Sequence, residues 1–184
     1  MIEPSKEPGT ITMWHGGNLD DYEDSVTHRS GRTVYGAGLY LINRYDVAAG
    51  YAKGSRKLYQ VVVRKGNEVS DVKLDWNSCM DLLKTYGIKS RLREHLQRFD
   101  SHIENGKISA DIFNNIILNE ELISPKNLQY LRSFLVSAGA DYEMTTYKGY
   151  PMLVLFNMKK IVSVTRVMPK DEIVEFDLPG RFVE

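Results

Sequence analysis

The feature that most constrains this chain is a change of hydrophobic periodicity, from strand-like to helix-like and back again. Up to about residue 74, apolar and β-branched residues occur in short runs, of which residues 58–63 are the clearest. From about residue 77 to 138 they recur at three- and four-residue steps, which is typical of amphipathic helices. Short apolar runs then return, as in residues 152–156. Strands from the two ends of the chain must therefore meet in space.

This order predicts an α+β fold in a single domain over residues 1–184, with a helical insertion at about 77–138. The pattern lacks a regular βαβα alternation, so it does not favour a doubly wound parallel sheet. Strands are predicted at residues 10–15, 35–42, 58–63, 70–74, 140–146, 152–156 and 161–167, with a terminal strand around 173–176.

Helix boundaries are predicted from capping residues. Asn43 or Asp46 can cap a short helix that ends near residue 53, and Ser124, followed by proline, is the expected N-cap of the last helix in the insertion. Gly139 is expected to end that helix in the left-handed conformation.

The composition indicates a cytoplasmic protein, in its own cell or in a cell into which it is delivered. Lys plus Arg and Asp plus Glu are both 24, so no overall charge drives the chain to nucleic acid or to an anionic membrane. A single cysteine, Cys79, suits a reducing compartment. No apolar run approaches the roughly 18 residues of a membrane span.

Two short motifs carry the chemistry: Trp14-His15-Gly16 after the first strand, and Gly38-Leu39-Tyr40-Leu41 followed by an Ala-rich helix that includes Tyr51. In this order and spacing they resemble the NAD-binding core of ADP-ribosyltransferases of the diphtheria-toxin and poly(ADP-ribose) polymerase type. The resemblance implies an ADP-ribosyltransferase-like split β-sheet core and NAD as the substrate. It further implies that His15 binds the adenosine-side ribose, that Gly16 presents backbone groups to the nicotinamide amide, and that Tyr40 and Tyr51 sandwich the nicotinamide ring.

The glycines and arginines near these motifs are secondary candidates. A side chain at position 16 would obstruct backbone approach to a ligand, and Gly36 and Gly38 would let the chain turn tightly into the Tyr40 strand. Arg29 or Arg32 could reach a pyrophosphate.

The chain departs from the family pattern at two places. Ala48 stands where the polymerases usually carry a serine that binds the nicotinamide amide. Pro151 or Met152 stands where the family has its catalytic glutamate on a late strand. The nearest upstream carboxylates are Asp141 and Glu143, and Glu143, with His15 and Tyr40, completes the predicted catalytic set.

These residues predict a mono-ADP-ribosyltransferase that transfers ADP-ribose from NAD to a macromolecule, with protein as the expected acceptor and nucleic acid as the other possibility. The missing glutamate argues against chain elongation, and the insertion is expected to help select the acceptor. The architecture suggests a toxin-like effector of a bacterium or phage. The alternative is a catalytically impaired NAD-binding or protein-binding module of the same fold that acts as an inhibitor.

Simpler roles remain open for each feature. His15 could be a structural histidine, and Tyr40 and Tyr51 could be core aromatics. Five basic residues of the insertion could form a solvated helix face, or a partner- or nucleic-acid-binding face: Lys84, Lys89, Arg91, Arg93 and Arg98. His95 and His102 lack further ligands at metal-binding spacing, so no metal site is predicted.

Overall fold

The computed structural model describes residues 3–19, 36–52, 57–167 and 177–184. This part of the chain has a mixed α+β fold, as the sequence predicts. Its strands are β1 (Thr10–Gly16), β2 (Leu39–Ile42), β3 (Leu58–Arg64), β4 (Lys73–Asp75), β5 (Lys107–Ser109), β6 (Tyr142–Tyr147), β7 (Tyr150–Leu155) and β8 (Ile161–Val167). Its α-helices are α1 (Tyr45–Tyr51), α2 (Trp76–Tyr86), α3 (Lys89–His95), α4 (Ala110–Asn119) and α5 (Leu128–Ser137). Short 3-10 helices cover Val69–Asp71, Leu96–His102, Pro125–Asn127 and Met158–Lys160.

The larger sheet joins early strands to late ones, in the order β6-β7-β2-β1-β3-β8. Strand β1 pairs antiparallel with both β2 and β3, β2 pairs antiparallel with β7, and β3 pairs antiparallel with β8. The register places Tyr40 opposite Val154 and Leu58 opposite Val167. The prediction that strands from the two ends of the chain meet is therefore confirmed.

The chain divides into two compact units. The first comprises Met1–Ser25, Leu39–Gly66 and Met144–Glu184. One buried cluster of this unit joins strand residues to α1 and to the C-terminal segment; its members are Trp14, Ile42, Ala48, Leu58, Val167 and Leu178. The Trp14 indole meets the Tyr45 ring edge to face, with centroids 5.3 Å apart, and so fixes α1 on this face of the sheet.

The second unit comprises Val26–Gly38 and Asn67–Glu143. Its apolar helix faces meet through a series of aromatic contacts: Trp76 with Phe99 at 5.3 Å, Phe99 with Phe113 at 5.6 Å, and Phe113 with Phe134 at 6.0 Å between ring centroids. These contacts join α2, α4 and α5, whose three- and four-residue apolar spacing the sequence shows.

Several predicted details of the second unit are wrong. Residues 70–74 form a 3-10 turn followed by β4, because Val69–Asp71 turns before the strand begins at Lys73. The segment 77–138 also contains β5, which pairs antiparallel with β4, so it is not purely helical. Ser124 is an N-cap followed by proline, as predicted, but of the 3-10 helix Pro125–Asn127 and without a side-chain cap hydrogen bond, and α5 itself begins only at Leu128.

Two further helix-end predictions have opposite outcomes. The N-cap of α1 is Arg44, without a side-chain cap bond, rather than Asn43 or Asp46. Gly139 has φ +98°, and its N–H donates to the Val136 carbonyl at 3.0 Å, so the left-handed stop is confirmed.

The terminal strand predicted around 173–176 lies outside the described residues. Within the described ranges, no helix combines the length and apolar character needed to cross a bilayer.

Candidate functional site

His15 and Tyr40, predicted from separate motifs, are brought together in the first unit. His15 lies near the end of β1, is half-buried, and its Nδ1 is 2.9 Å from the backbone carbonyl oxygen of Tyr40. Because a carbonyl oxygen only accepts, Nδ1 carries the hydrogen in this bond. The bond fixes both the ring orientation and the tautomer, which places the acceptor lone pair of a neutral imidazole on Nε2.

Gly16 is required by the packing of α1 against the end of β1. A Cβ atom at this position would lie 1.8 Å from the Ala48 carbonyl oxygen, a distance that no side chain permits. The sequence prediction assigned the glycine to ligand approach. The structure gives a packing reason in addition, because the backbone of α1 lies directly against the strand end.

Ala48 belongs to the core, which explains the absence of the expected serine. Its side chain is 1% exposed and packs in the cluster that contains Trp14 and Ile42. A hydroxyl here would be buried among apolar groups and would cost free energy without a partner.

Tyr40 lies on the face of the sheet that α1 covers. Side chains alternate along β2, so Tyr40 shares a face with Ile42, which belongs to the same buried cluster as Ala48 of α1. Its side chain is partly buried, and Val154 of β7 lies opposite it. The position combines a fixed backbone with a partly accessible ring.

Tyr51 is the last residue of α1 and is 44% exposed. Its ring centroid lies 6.2 Å from that of Tyr147 on β6, with the planes inclined by 58°. The ammonium group of Lys148 is 5.3 Å from the centroid of the Tyr147 ring. The sequence prediction missed Tyr147; its only sequence signal is an aromatic residue directly before the Lys148-Gly149 turn.

Arg44 is a second residue that the sequence prediction missed. Its guanidinium lies 4.6 Å from the centre of the Tyr150 ring and forms ion pairs with Asp46 at 3.0 Å and Asp177 at 3.2 Å. The hydrogen bond from Arg44 lowers the pKa of Asp46. These contacts join the start of α1 to β7 and to the C-terminal segment.

The position expected for a late-strand glutamate belongs to the core. Met152 is 5% exposed and lies opposite Ile42 in the pairing of β7 with β2. Pro151 packs close to Gly180, where an added Cβ would lie 2.8 Å from the proline Cβ. Neither side chain can supply a carboxylate or stabilise a positive charge.

The two alternative carboxylates differ in environment, and both lie in the second unit. Asp141 is 6% exposed, and its Oδ2 accepts a hydrogen bond from the Asn67 backbone N–H at 2.9 Å, which is a structural role. Glu143 is partly buried and accepts from the Asn114 side-chain amide at 3.2 Å. Burial, opposed by this hydrogen bond, raises the pKa of Glu143 to about 7, with Asp111 and Glu68 adding to the rise.

The remaining predicted binding residues lie before β2. Gly36 has φ +92°, as a tight turn requires, and the Gly38 N–H donates to its carbonyl at 3.2 Å. Arg29 and Arg32 lie outside the described residues.

Three of the five basic residues of the insertion pair with neighbouring acids. Arg98 lies 2.9 Å from Glu120, Arg91 lies 3.3 Å from Glu121, and Lys84 and Asp81 are 3.7 Å apart. This pairing favours the solvated helix face over a nucleic-acid-binding face.

Comparisons with known proteins give little further information. The chain matches no protein-family profile. No curated protein matches it either. Among solved structures it is similar to a crystal structure of an anti-CRISPR protein, with 10% sequence identity, a TM-score of 0.40, and coverage of 87% of this chain and 98% of that one. At this similarity neither fold nor function is inferred from it.

Proposed function

We propose that the protein is a mono-ADP-ribosyltransferase that transfers ADP-ribose from NAD to a protein acceptor and releases nicotinamide. The observation that carries the proposal is the 2.9 Å hydrogen bond between the His15 ring and the Tyr40 backbone. It joins the His-Gly motif to the Gly-Leu-Tyr-Leu strand, the two pieces on which the resemblance to the ADP-ribosyltransferase core depends.

Each residue has a role that fits cleavage of the nicotinamide–ribose bond. This bond breaks with oxocarbenium character on the ribose, so the site must align the leaving group and stabilise positive charge. His15 binds a ribose hydroxyl, the Gly16 backbone binds the nicotinamide amide, and Tyr40 and Tyr51 hold the ring. The carboxylate predicted from the sequence, Glu143, lies in the second unit.

Transfer of a single unit is preferred to chain elongation. Elongation needs a group that activates a ribose hydroxyl of the previous unit, and the late-strand position expected for that group is occupied by buried Met152. A single transfer has no such requirement.

Incubation with NAD labelled on the adenylate, in a cell lysate, tests the proposal. The wild-type protein should label acceptor proteins, and His15→Ala and Tyr51→Ala should reduce labelling at least tenfold. Tyr51 is 44% exposed, so its replacement should change the thermal unfolding temperature little. Val162→Ala, on a residue of β8 that is 42% exposed and lies outside the insertion, is the control of matched exposure and should label normally.

A second candidate function is favoured by Met152 and Ala48, which are core residues where the family pattern has polar groups. This candidate is a module of the same fold that binds NAD or a protein without transfer. NAD binding to the pure protein can be measured by calorimetry, and nicotinamide release can be measured in lysates. Binding without release in any lysate would support the module and contradict the transferase.

A further inference from the structure

The first unit contains a cavity of about 350 Å³ that is open to solvent and is called the sheet cavity below. None of the residues that form the candidate site lines it. Its lining residues come from the N-terminal segment, β3 and β8, and they include Glu3, Ser5, Gln60, Val62, Ser163 and Thr165.

The strand pairing places the sheet cavity on the face of the sheet that α1 covers. Gln60 lies opposite Thr165, and Val62 lies opposite Ser163, in the pairing of β3 with β8. Residues directly opposite each other project to the same face. Leu58, two residues before Gln60 on β3, belongs to the buried cluster that packs against α1. The sheet cavity therefore follows that cluster along the same face.

The N-terminal segment forms one wall of the sheet cavity. The Ser5 backbone N–H donates to Thr12 Oγ1 of β1 at 3.0 Å and holds the segment against the sheet. Glu3 is exposed, and its carboxylate lies 3.9 Å from the Lys6 ammonium. A carboxylate has about four lone-pair sites, so this long ion pair leaves it able to accept further hydrogen bonds. The wall therefore offers a hydrogen-bond acceptor.

Gln60 lines the opposite, deeper side of the sheet cavity and offers a donor. Its side chain is 4% exposed, and its Nε2 has no hydrogen-bond partner among the described residues. A buried amide donor is costly when it is left unpaired. Because this side chain borders a volume that a ligand can enter from solvent, the missing partner points to a ligand that carries an acceptor.

The two polar groups together select a neutral ligand. Glu3 repels an anion, and a cation has no acceptor to offer the N–H of Gln60. A primary carboxamide satisfies both groups, because it has a carbonyl oxygen for Gln60 and an NH₂ group for the Glu3 carboxylate. The hydroxyl groups of Ser163 and Thr165 add donors and acceptors, and Val62 provides apolar contact for the carbon atoms of the ligand.

We propose that the sheet cavity binds a primary carboxamide, with Gln60 Nε2 donating to its oxygen and the Glu3 carboxylate accepting from its nitrogen. This group occurs on the glutamine and asparagine side chains of peptides and on nicotinamide, which the proposed function releases. The binding itself does not rest on the proposed function, because no residue of the sheet cavity has a role in the cleavage of NAD.

The side-chain amide of Gln60 provides a direct probe. Titration of ¹⁵N-labelled full-length protein with N-acetyl-glutamine methylamide or with nicotinamide should shift the Gln60 Nε2 resonances, with saturation in the millimolar range. The compound that saturates at the lower concentration identifies the source of the carboxamide. The isosteric carboxylates, N-acetyl-glutamate methylamide and nicotinate, should bind about fivefold more weakly, which corresponds to the loss of one hydrogen bond.

Substitutions test the two ends of the sheet cavity separately. Gln60→Leu removes the donor and should weaken carboxamide binding about fivefold, as read from the backbone amides of Ser163 and Thr165. Glu3→Gln, on an exposed residue whose replacement leaves the fold intact, should reduce the preference for carboxamide over carboxylate. Glu7→Gln, the same change on an exposed glutamate that does not line the cavity, should alter neither property.

Three results would overturn the inference. These are carboxylates that bind as tightly as the matched carboxamides, carboxamide binding that is unchanged in Gln60→Leu, or Gln60 resonances that do not shift in the folded protein at any soluble concentration of either carboxamide. Labelling from NAD, measured on the same preparations, separates the two proposals. Carboxamide binding without labelling removes the proposed function alone, whereas labelling without a Gln60 response removes the carboxamide site alone.

Discussion

Replacing Glu143 by glutamine should stabilise the protein at pH 8 and change its stability little at pH 4. In the folded protein, burial raises the pKa of this carboxyl from 4.5 to about 7. The folded state therefore retains the proton after the unfolded chain has lost it. By linkage, the contribution of this group to stability is full below pH 4.5 and is lost as the pH rises to 7.

The size of the effect follows from the shift. Each unit of pKa corresponds to about 1.36 kcal/mol, so the upper limit is about 3 kcal/mol. Because Glu143 is only partly buried, solvent screening reduces this to about 2 kcal/mol. Glutamine keeps the shape, remains neutral at every pH, and can donate to the unpartnered Asn114 Oδ1.

Urea unfolding at half-unit intervals from pH 4 to pH 8 measures the difference. The two stability curves should diverge between pH 4.5 and 7 and reach a gap of about 2 kcal/mol, equivalent to roughly 4–8 °C in Tm. Glu104→Gln, on an exposed glutamate, is the matched control and should show no such divergence. Parallel curves, or a glutamine variant less stable than the wild type at pH 8, would refute the reasoning.

Three other substitutions or modifications have defined outcomes. Gly16→Ala should lose about 3 kcal/mol of unfolding free energy through collision with α1, whereas Gly50→Ala, inside α1 and with open space around it, should gain about 0.5–1 kcal/mol. Arg132→Met should raise the unfolding temperature, because burial lowers the pKa of Arg132 and its Nη1 is buried without a partner. Arg98→Met, which removes an arginine that is paired with Glu120, should not raise the unfolding temperature. The Cys79 thiol, whose pKa burial raises to about 12, should resist a thiol reagent at pH 8 until denaturant is added, and fast labelling of the folded protein would contradict this.

The parts of the fold that the sequence predicted well are those set by a strong local pattern. Strand β8 has the predicted bounds, and β3 differs by one residue, because runs rich in β-branched residues favour extended structure. The N-cap of α1 was predicted wrongly. Arg44 is the N-cap of α1, and its contacts with Asp177 and Tyr150 join residues distant in the chain, which no local capping rule includes.

In the candidate site, too, features set by the local sequence could be predicted and features set by tertiary contacts could not. His15 and Tyr40 could be chosen from motifs, yet the hydrogen bond that joins them depends on the pairing of β1 with β2. Tyr147 and Asn114 could not be chosen, because their importance comes from the side chains beside them, Tyr51 and Glu143.

The strand order of the large sheet also determines when the protein can fold during synthesis. Strands β1, β2 and β3 leave the ribosome long before β7 and β8, and the bond from Asn43 to the Leu178 carbonyl joins residues 135 apart. During this interval the early strands expose two unpaired edges, which can recruit other nascent chains. The segment 67–143 has its own aromatic core and can fold meanwhile. A stalled nascent chain that has released the segment 67–143 but still holds β7 and β8 in the exit tunnel should therefore aggregate through the early strands, while the released segment is already compact.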